Sequence, residues 1–97
     1  MHRVALLALL EAKAGKEEEL AAFLKSALPL AIQEPATVSW FAFRVDSSRF
    51  GIFDTFADES GRNAHLNGEI AKALFARADE LLASPPQIER PEILTAK

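Results

Sequence analysis

Hydrophobic residues are densest in the stretch over residues 37–56, which reads TVSWFAFRVDSSRFGIFDTF. β-Branched and aromatic residues flank a short polar segment at 46–49, which predicts two strands joined by a tight turn. A two-residue turn at 47–48 pairs Val45 with Phe50, and a four-residue loop keeps the same pairing. One face of this hairpin then carries Phe41, Phe43, Val45, Phe50, Ile52, Asp54 and Phe56, and the other carries Val38, Trp40, Ala42, Arg44, Gly51, Phe53 and Thr55.

The remaining pattern predicts two helical regions and two further strands. Residues 4–10 are apolar at every position, which is typical of a strand buried on both faces. Apolar residues spaced three and four apart predict a helix over 16–34, and Pro29 should kink it. Asp58 is the expected N-cap of the next helix. The further elements are expected over 60–66 (a short helix), 69–83 (a longer helix) and 87–96 (a strand).

The order strand, helix, strand, strand, helix, strand predicts an α+β fold of the ferredoxin-like kind. Its four-stranded antiparallel sheet would have both helical regions on one face. Because the first strand and the hairpin are apolar on both sides, the other face would expose a larger apolar patch than monomers usually tolerate. A twofold dimer with the two sheets face to face would cover that patch. We therefore expect a homodimer whose eight strands close into an α+β barrel.

Composition and charge narrow the functions that are compatible with this fold. The 97 residues predict a single domain over 1–97. A net charge of −3 without a lysine or arginine cluster argues against nucleic-acid or anionic-membrane partners. No cysteine and only two histidines are present, so we expect no disulfide and no metal site. The chain's start is interpreted as a strand, with a signal peptide as the alternative, and the expected location is the cytoplasm.

Most of the chain resembles the antibiotic biosynthesis monooxygenase family. The similarity lies in FGIFDTFADESGRNAHLNGEIAKAL, the preceding TVSWFAFR and the early GKEEELAAFL. Its most specific part is a strand ending in Asp54, an aromatic residue at Phe56, a helix start and then His65. The resemblance implies a dimeric α+β barrel. It also implies activities that include cofactor-independent oxygenation of quinols and aromatic polyketides, and haem degradation. The longer helix has Leu74 and Phe75 but no histidine, unlike the haem-degrading members, which argues against haem cleavage.

His65 and Asp54 are the candidate catalytic residues. His65 is the only internal imidazole. As a general base it could remove a phenolic proton, giving an anion able to react with O2 without a cofactor. The alternative is a structural histidine bonded to Asp54 or to a backbone carbonyl. Asp54 interrupts an apolar strand, so its carboxylate must be paired or hydrated. It could orient His65 or Arg62 beside a substrate, form a structural salt bridge to Arg62, or cap the next helix.

Further residues are candidate substrate contacts. Trp40 offers a flat apolar wall with one N–H donor, although core packing is the commoner fate of a tryptophan in a strand. Arg44 could meet an anionic ligand, or it could lie at a dimer interface or in solvent. Asn67 could donate a hydrogen bond to O2 or substrate, or mark a turn. The other candidate contacts are Phe41, Arg62 and Phe75.

Two functional hypotheses follow from these residues. The first is a dimeric, cofactor-independent monooxygenase that acts on a small, electron-rich aromatic molecule such as a quinol or phenol. His65 would be its base, Asp54 the partner of that base, and Trp40 and Phe41 the walls of its pocket. The second is a non-catalytic dimer of the same fold that binds a small apolar molecule, as the scarcity of polar pocket residues indicates. A purely structural dimer with a filled barrel is a third interpretation.

Overall fold

A computed structural model describes residues 3–97, so His2 lies outside the described residues. The elements in chain order are β1 (Val4–Glu11), α1 (Glu17–Ser26), α2 (Leu28–Ile32), β2 (Thr37–Arg44), β3 (Arg49–Phe56), α3 (Glu59–Leu66), α4 (Glu69–Leu81) and β4 (Gln87–Glu89). The four strands form one antiparallel sheet in the order β2-β3-β1-β4. The predicted ferredoxin-like α+β fold is confirmed.

Two of the helices, α2 and α3, begin at positions that the local sequence chemistry favours. Pro29 lies in the first turn of α2, where its missing N–H costs nothing, and the predicted helix over 16–34 therefore divides into α1 and α2. Asp58 is the N-cap of α3, as predicted, and its carboxylate accepts a hydrogen bond of 3.0 Å from the backbone N–H of Gly61. These two signals fix the entry of each helix onto the sheet.

The hydrophobic core lies between the helices and one face of the sheet. Leu20 of α1 and Leu74 of α4 are among its buried side chains. Burying a side chain of this size contributes about 1.5–3 kcal/mol to stability. The strand residues that face this core are Leu6, Ala8 and Leu10 of β1 and Phe50, Ile52 and Asp54 of β3. Asp54 is thus a carboxylate on an otherwise apolar, helix-covered surface.

The predicted register of the β2–β3 hairpin is wrong by one residue. Ala42 pairs with Ile52 and Phe41 with Phe53. Beyond the last ladder pair, Arg44 with Phe50, a backbone bond joins Val45 to Arg49 and leaves three residues at 46–48 in the loop, not two or four. The backbone N–H of Val45 donates to the carbonyl of Arg49 at 2.8 Å and closes this loop. An odd loop length exchanges the two faces of one strand relative to the other.

The shifted register changes which side chains share a face. Trp40 lies directly opposite Asp54, so both face the helices, whereas the sequence interpretation had placed them on opposite faces. Phe41 and Phe43 lie on the opposite, open face of the sheet. The polar loop explains the difference, because the Asp46 carboxylate accepts hydrogen bonds from the backbone N–H groups of Ser48 and Arg49 at 3.1 and 2.9 Å.

The last strand is shorter than the predicted span 87–96. Regular pairing of β4 with β1 covers only three residues and stops before Pro91, which has no N–H to donate. The chain nevertheless continues beside β1, because the Pro91 carbonyl accepts from the Ala5 N–H at 3.0 Å. An isolated bridge joins Val4 and Glu92. The segment therefore follows the sheet edge without forming a full strand.

The face of the sheet away from the helices is apolar and uncovered. Phe41 is 58% exposed and Leu9 is 36% exposed, and Phe53 between them is half-buried. A β carbon at Gly51 would overlap the ring of Phe43, so this glycine lets that ring lie flat across β3. The uncovered apolar face matches the sequence interpretation, and the second copy that would cover it stays a prediction. None of the helices within residues 3–97 is both long and apolar enough to cross a membrane.

Candidate functional site

His65 lies between two carboxylates in the interior of the protein. Its Nδ1 atom is 2.6 Å from Oε1 of Glu34, and its Nε2 atom is 2.8 Å from Oδ2 of Asp54. The side chain of His65 is 8% exposed, that of Asp54 is 1% and that of Glu34 is 21%. The ring of Phe56 packs against the imidazole, with 5.4 Å between the ring centroids. We call Glu34, His65 and Asp54 the acid–histidine cluster.

Three separate elements position the members of this cluster. Asp54 belongs to the central strand β3, and His65 lies in the last turn of α3. Glu34 lies in the connection between α2 and β2, where the hydroxyl of Thr37 donates to its Oε1 at 2.8 Å. Gly61 allows α3 to approach this connection closely, since a β carbon there would lie 3.2 Å from the carbonyl oxygen of Ala36.

Both ring nitrogens of His65 face carboxylate oxygens, so the contacts favour a proton on each nitrogen. A neutral imidazole has one N–H and one lone pair, and a lone pair facing a carboxylate at this distance is repulsive. Burial lowers the pKa of His65, but the bonds with Asp54 and then with Glu34 outweigh burial and raise that pKa above its ordinary value of 6.5. Burial raises the pKa of Asp54 above its ordinary value of 3.8, and His65 offsets this only in part. The contacts on both nitrogens and the raised pKa of His65 both favour its imidazolium form.

Asp54 has bonding capacity that the protein does not use. Its Oδ2 atom faces Nε2 of His65 at 2.8 Å, and within residues 3–97 its Oδ1 atom has no hydrogen-bond donor. A buried acceptor without a donor costs about 1–3 kcal/mol, and native structures contain few such groups. The carboxylate is therefore available to a ligand.

An apolar cavity borders the carboxylate of Asp54. About 40 Å³ within it is open to the centres of water molecules, which is room for a water or two. Phe75, which also lines the cavity, is 53% exposed and connects it to the surface. The other apolar lining residues are Leu6, Ala8, Ile52, Leu66, Ile70, Ala71, Leu74 and Ile88.

A second space lies on the Glu34 side of His65. It is a surface cleft of about 350 Å³, lined by both Glu34 and His65 together with the α3–α4 junction at Gly68 and Glu69. The acid–histidine cluster thus separates a small interior cavity at Asp54 from an open cleft at Glu34. We call these spaces the inner cavity and the outer cleft.

The structure brings four of the predicted site residues into one region. His65 and Asp54 are in contact, as the sequence interpretation proposed, and Phe75 lies at the same inner cavity. Trp40 is the neighbour of Asp54 across the β2–β3 ladder and packs against Ile70. Its indole N–H is buried and has no acceptor within residues 3–97. A free donor and a free acceptor therefore occur on adjacent strands of one sheet face.

The other predicted residues lie elsewhere. Phe41 is on the open sheet face. Arg44 is partly exposed, pairs with Glu18 at 3.0 Å and covers the Phe50 ring. Arg62 donates to the carbonyl oxygens of Ala5 and Pro91 and pairs with Glu59; the predicted salt bridge from Arg62 to Asp54 is not among its contacts. Asn67 is the C-cap of α3 and donates to the Asn63 carbonyl at 2.9 Å.

Glu34 was missed by sequence reasoning. It precedes Pro35, so the pair was interpreted only as the end of a helix. Its partner His65 is 31 positions later, and no periodic pattern connects residues at that distance. The one available signal was its place at the entry to the central hairpin.

In the described part of the chain, no group of three or more acidic, histidine or cysteine side chains is arranged to hold a metal ion.

Comparison with solved structures identifies the class. The fold matches a provisionally named antibiotic biosynthesis monooxygenase from Nitrosomonas europaea, with a TM-score of 0.84, 16% identity and coverage of 96% of this chain and 91% of that one. PA3566 from Pseudomonas aeruginosa gives a TM-score of 0.82 at 21% identity, covering 98% and 97%. No protein-family model and no curated protein matches the sequence. The chain shares the fold of these proteins, which agrees with the sequence resemblance.

Within this class the chain has a relative of much higher sequence identity. The Nitrosomonas europaea protein NE2512, whose function is unknown, is 59% identical over 100% of this chain and 94% of its own, with a TM-score of 0.98. The chain belongs to the same family as NE2512.

Proposed function

We propose that the protein is a cofactor-independent monooxygenase for a small, electron-rich aromatic substrate of the phenol or quinol type. The observation that carries the proposal is the buried carboxylate of Asp54. Its Oδ1 atom has no hydrogen-bond donor within residues 3–97, the carboxylate adjoins an apolar cavity, and its Oδ2 atom is paired with His65. The fold shared with the provisionally named monooxygenases supports the same class of reaction.

In this proposal Asp54 is the base, and His65 balances its charge. Both nitrogens of His65 already face carboxylates, so the imidazole has no free lone pair for a substrate. Oδ1 of Asp54 is free to accept the proton of a substrate hydroxyl. The roles assigned from the sequence, with His65 as base and Asp54 as its partner, are thereby exchanged.

The reaction balances without any further reductant. For a phenol with a free para position, Asp54 takes the hydroxyl proton, and the phenolate transfers electrons to O2 as a carbon–oxygen bond forms at the para carbon. The resulting peroxide takes the proton back. Loss of the ring C–H and cleavage of the O–O bond then give a quinone and one water. The substrate supplies all four electrons that O2 accepts.

The cavity requires a movement before it can hold a ring. Its present free space fits water rather than an aromatic molecule. Phe75 is the exposed lining residue on α4, so an outward turn of its side chain is the simplest way to enlarge the inner cavity. Trp40 does not line the present cavity but lies opposite Asp54 on the sheet, so in an enlarged cavity it would supply a flat apolar surface and an N–H donor that has no acceptor within residues 3–97.

We further propose that the working form is a homodimer. The open sheet face carries Phe41, Phe43 and Leu9, each more than a third exposed, and a second copy packed sheet to sheet would cover all three. This arrangement would complete the α+β barrel expected from the sequence. The predicted cytoplasmic location also stays a prediction.

Oxygen uptake tests the proposed chemistry. The wild-type protein should consume O2 with at least one member of a panel of naphthols, hydroquinones and anthrones. Asp54→Asn keeps the shape of the side chain and should lower the rate about 100-fold or more, the usual contribution of a general base. Glu69→Gln, which changes an exposed carboxylate of the outer cleft, is the matched control and should leave the rate unchanged. Equal rates for Asp54→Asn and wild type would refute the proposal.

A non-catalytic binding protein is the second candidate. The mainly apolar lining of the inner cavity favours it, because such a lining can hold a ligand without transforming it. Saturable binding of the panel molecules without any O2 uptake would select this alternative. Repeated turnover of any of them would exclude it.

A further inference from the structure

We propose that Glu34 is a positioning residue of the site, which fixes the ring and the charge of His65 so that His65 can keep Asp54 ionised. The inference deepens the proposed function and rests on it for its catalytic consequence. Glu34 does not border the inner cavity and would not touch the substrate. It would act through the imidazole that lies between the two acids.

Contacts on both sides of the Glu34 carboxylate hold it against His65. Oε1 of Glu34 is 2.6 Å from Nδ1 of His65 and also accepts from the Thr37 hydroxyl at 2.8 Å. On its other side, a β carbon at Gly68 would lie 3.1 Å from Oε2 of Glu34, so the absence of a side chain at Gly68 leaves room for the carboxylate. The α2–β2 connection and the α3–α4 junction therefore hold Glu34 against His65.

The charges facing His65 come from two elements only. Asp54 approaches from β3 and Glu34 from the α2–β2 connection. Glu69 of α4 borders the same outer cleft but has an exposed side chain and lies within 3.9 Å of Lys72. Arg62, on the same helix as His65, directs its donors to Ala5, Pro91 and Glu59. Within the described residues Glu34 is thus the one charged group besides Asp54 that acts on the ring.

The two carboxylates therefore have different roles in the acid–histidine cluster. A proton on Nδ1 is donated to Glu34, and a second proton on Nε2 is directed to Asp54; the two protons together give the ring a full positive charge. That charge opposes the effect of burial on Asp54, which would otherwise favour the neutral acid. Without Glu34, the ring would retain its proton less tightly, and Asp54 would lose the charge that balances it.

Nuclear magnetic resonance of the imidazole ring tests this role without requiring turnover. In the wild-type protein both ring nitrogens of His65 should carry protons at pH 7, and a His2→Gln variant assigns the second histidine signal. Glu34→Gln keeps an oxygen acceptor but removes the charge. It should lower the titration midpoint of His65 by about one pH unit or more, a tenfold loss in proton affinity. Glu69→Gln is the matched control from the same outer cleft and should leave the midpoint unchanged.

The outcomes separate this inference from the proposed reaction. An unchanged midpoint in Glu34→Gln would overturn the inference, and so would a singly protonated His65 in the wild-type protein at pH 7. The wild-type measurement can overturn the inference even where the variant does not fold. If the wild-type protein turns over a substrate, Glu34→Gln should move the alkaline limb of its kcat/KM against pH to lower pH. An unmoved limb together with a shifted His65 titration midpoint would also overturn the positioning role. Absence of turnover in the wild-type protein refutes the reaction and leaves the midpoint measurement to judge Glu34.

Discussion

His65 and Asp54 are the two buried members of the acid–histidine cluster. Substituting one or the other should have very different effects on the free energy of unfolding. His65→Gln leaves Asp54 and Glu34 facing each other without a positive charge between them. Breaking a buried ion pair in this way costs about 3–5 kcal/mol of the free energy of unfolding. Asp54→Asn instead removes the most deeply buried charge and leaves the pair of His65 and Glu34 intact. Because it also relieves the burial of an anion, its free energy of unfolding should lie within about 1 kcal/mol of wild type or above it.

Urea denaturation at a fixed protomer concentration measures this difference. With a slope of about 1.5 kcal/mol per molar for a chain of this size, His65→Gln should lower the midpoint by about 2–3 M. The midpoint of Asp54→Asn should stay close to that of wild type, and Glu69→Gln provides the control for an exposed carboxylate. A protein that retains a destabilising charge in its interior retains it for function. If Asp54→Asn destabilises as strongly as His65→Gln, then Asp54 is a structural anchor, and its assignment as a base is refuted.

The remaining predictions concern pH, helix capping and assembly. The raised pKa values of His65 and Asp54 mean that the folded state binds more protons than the unfolded chain, so stability should fall as pH rises. The contribution of His65 to the free energy of unfolding is complete below pH 6.5 and is lost as pH rises through its folded-state pKa. The urea midpoint should therefore decline across this range, and His65→Gln should flatten the alkaline end of the decline. Asp58→Ala removes the cap of α3 and should cost about 1 kcal/mol, measured by thermal unfolding, whereas Asp58→Asn should not. Phe41→Glu should weaken dimerisation about tenfold or more in sedimentation equilibrium, equivalent to about 1.4 kcal/mol. Ile32→Glu, at an exposed apolar residue of α2, is the control and should leave dimerisation unchanged. A wild-type monomer at micromolar concentration would contradict the dimer.

Much of the fold follows from local sequence chemistry. Pro29 divides the first helical region, Asp58 starts α3, and the apolar run of β1 marks the centre of the sheet. Each of these signals acts within a few residues of itself, which is why the order of elements could be predicted. The hairpin register could not, because the hydrogen bonds of the Asp46 side chain favour a three-residue loop over the two- or four-residue loop expected.

The candidate site was predictable only in part. An acid in an apolar strand and a lone internal histidine are visible in the sequence, so the contact between Asp54 and His65 could be anticipated. Glu34 could not, because its importance depends on how the α2–β2 connection packs against α3. The position of Trp40 beside Asp54 likewise depended on the one-residue register shift. Long-range packing, rather than local pattern, completes the site.

The proposed reaction depends on proton transfer from a bound phenol to Asp54, and an anaerobic absorption spectrum detects that transfer. A naphthol that binds without turnover is mixed with the protein in the absence of O2, at a pH below the pKa of the free naphthol. The wild-type protein should show the absorption band of the naphtholate anion, and Asp54→Asn should show the band of the neutral naphthol. Binding of the neutral naphthol to the wild-type protein, with the same spectrum as in Asp54→Asn, would show that Asp54 is not the base.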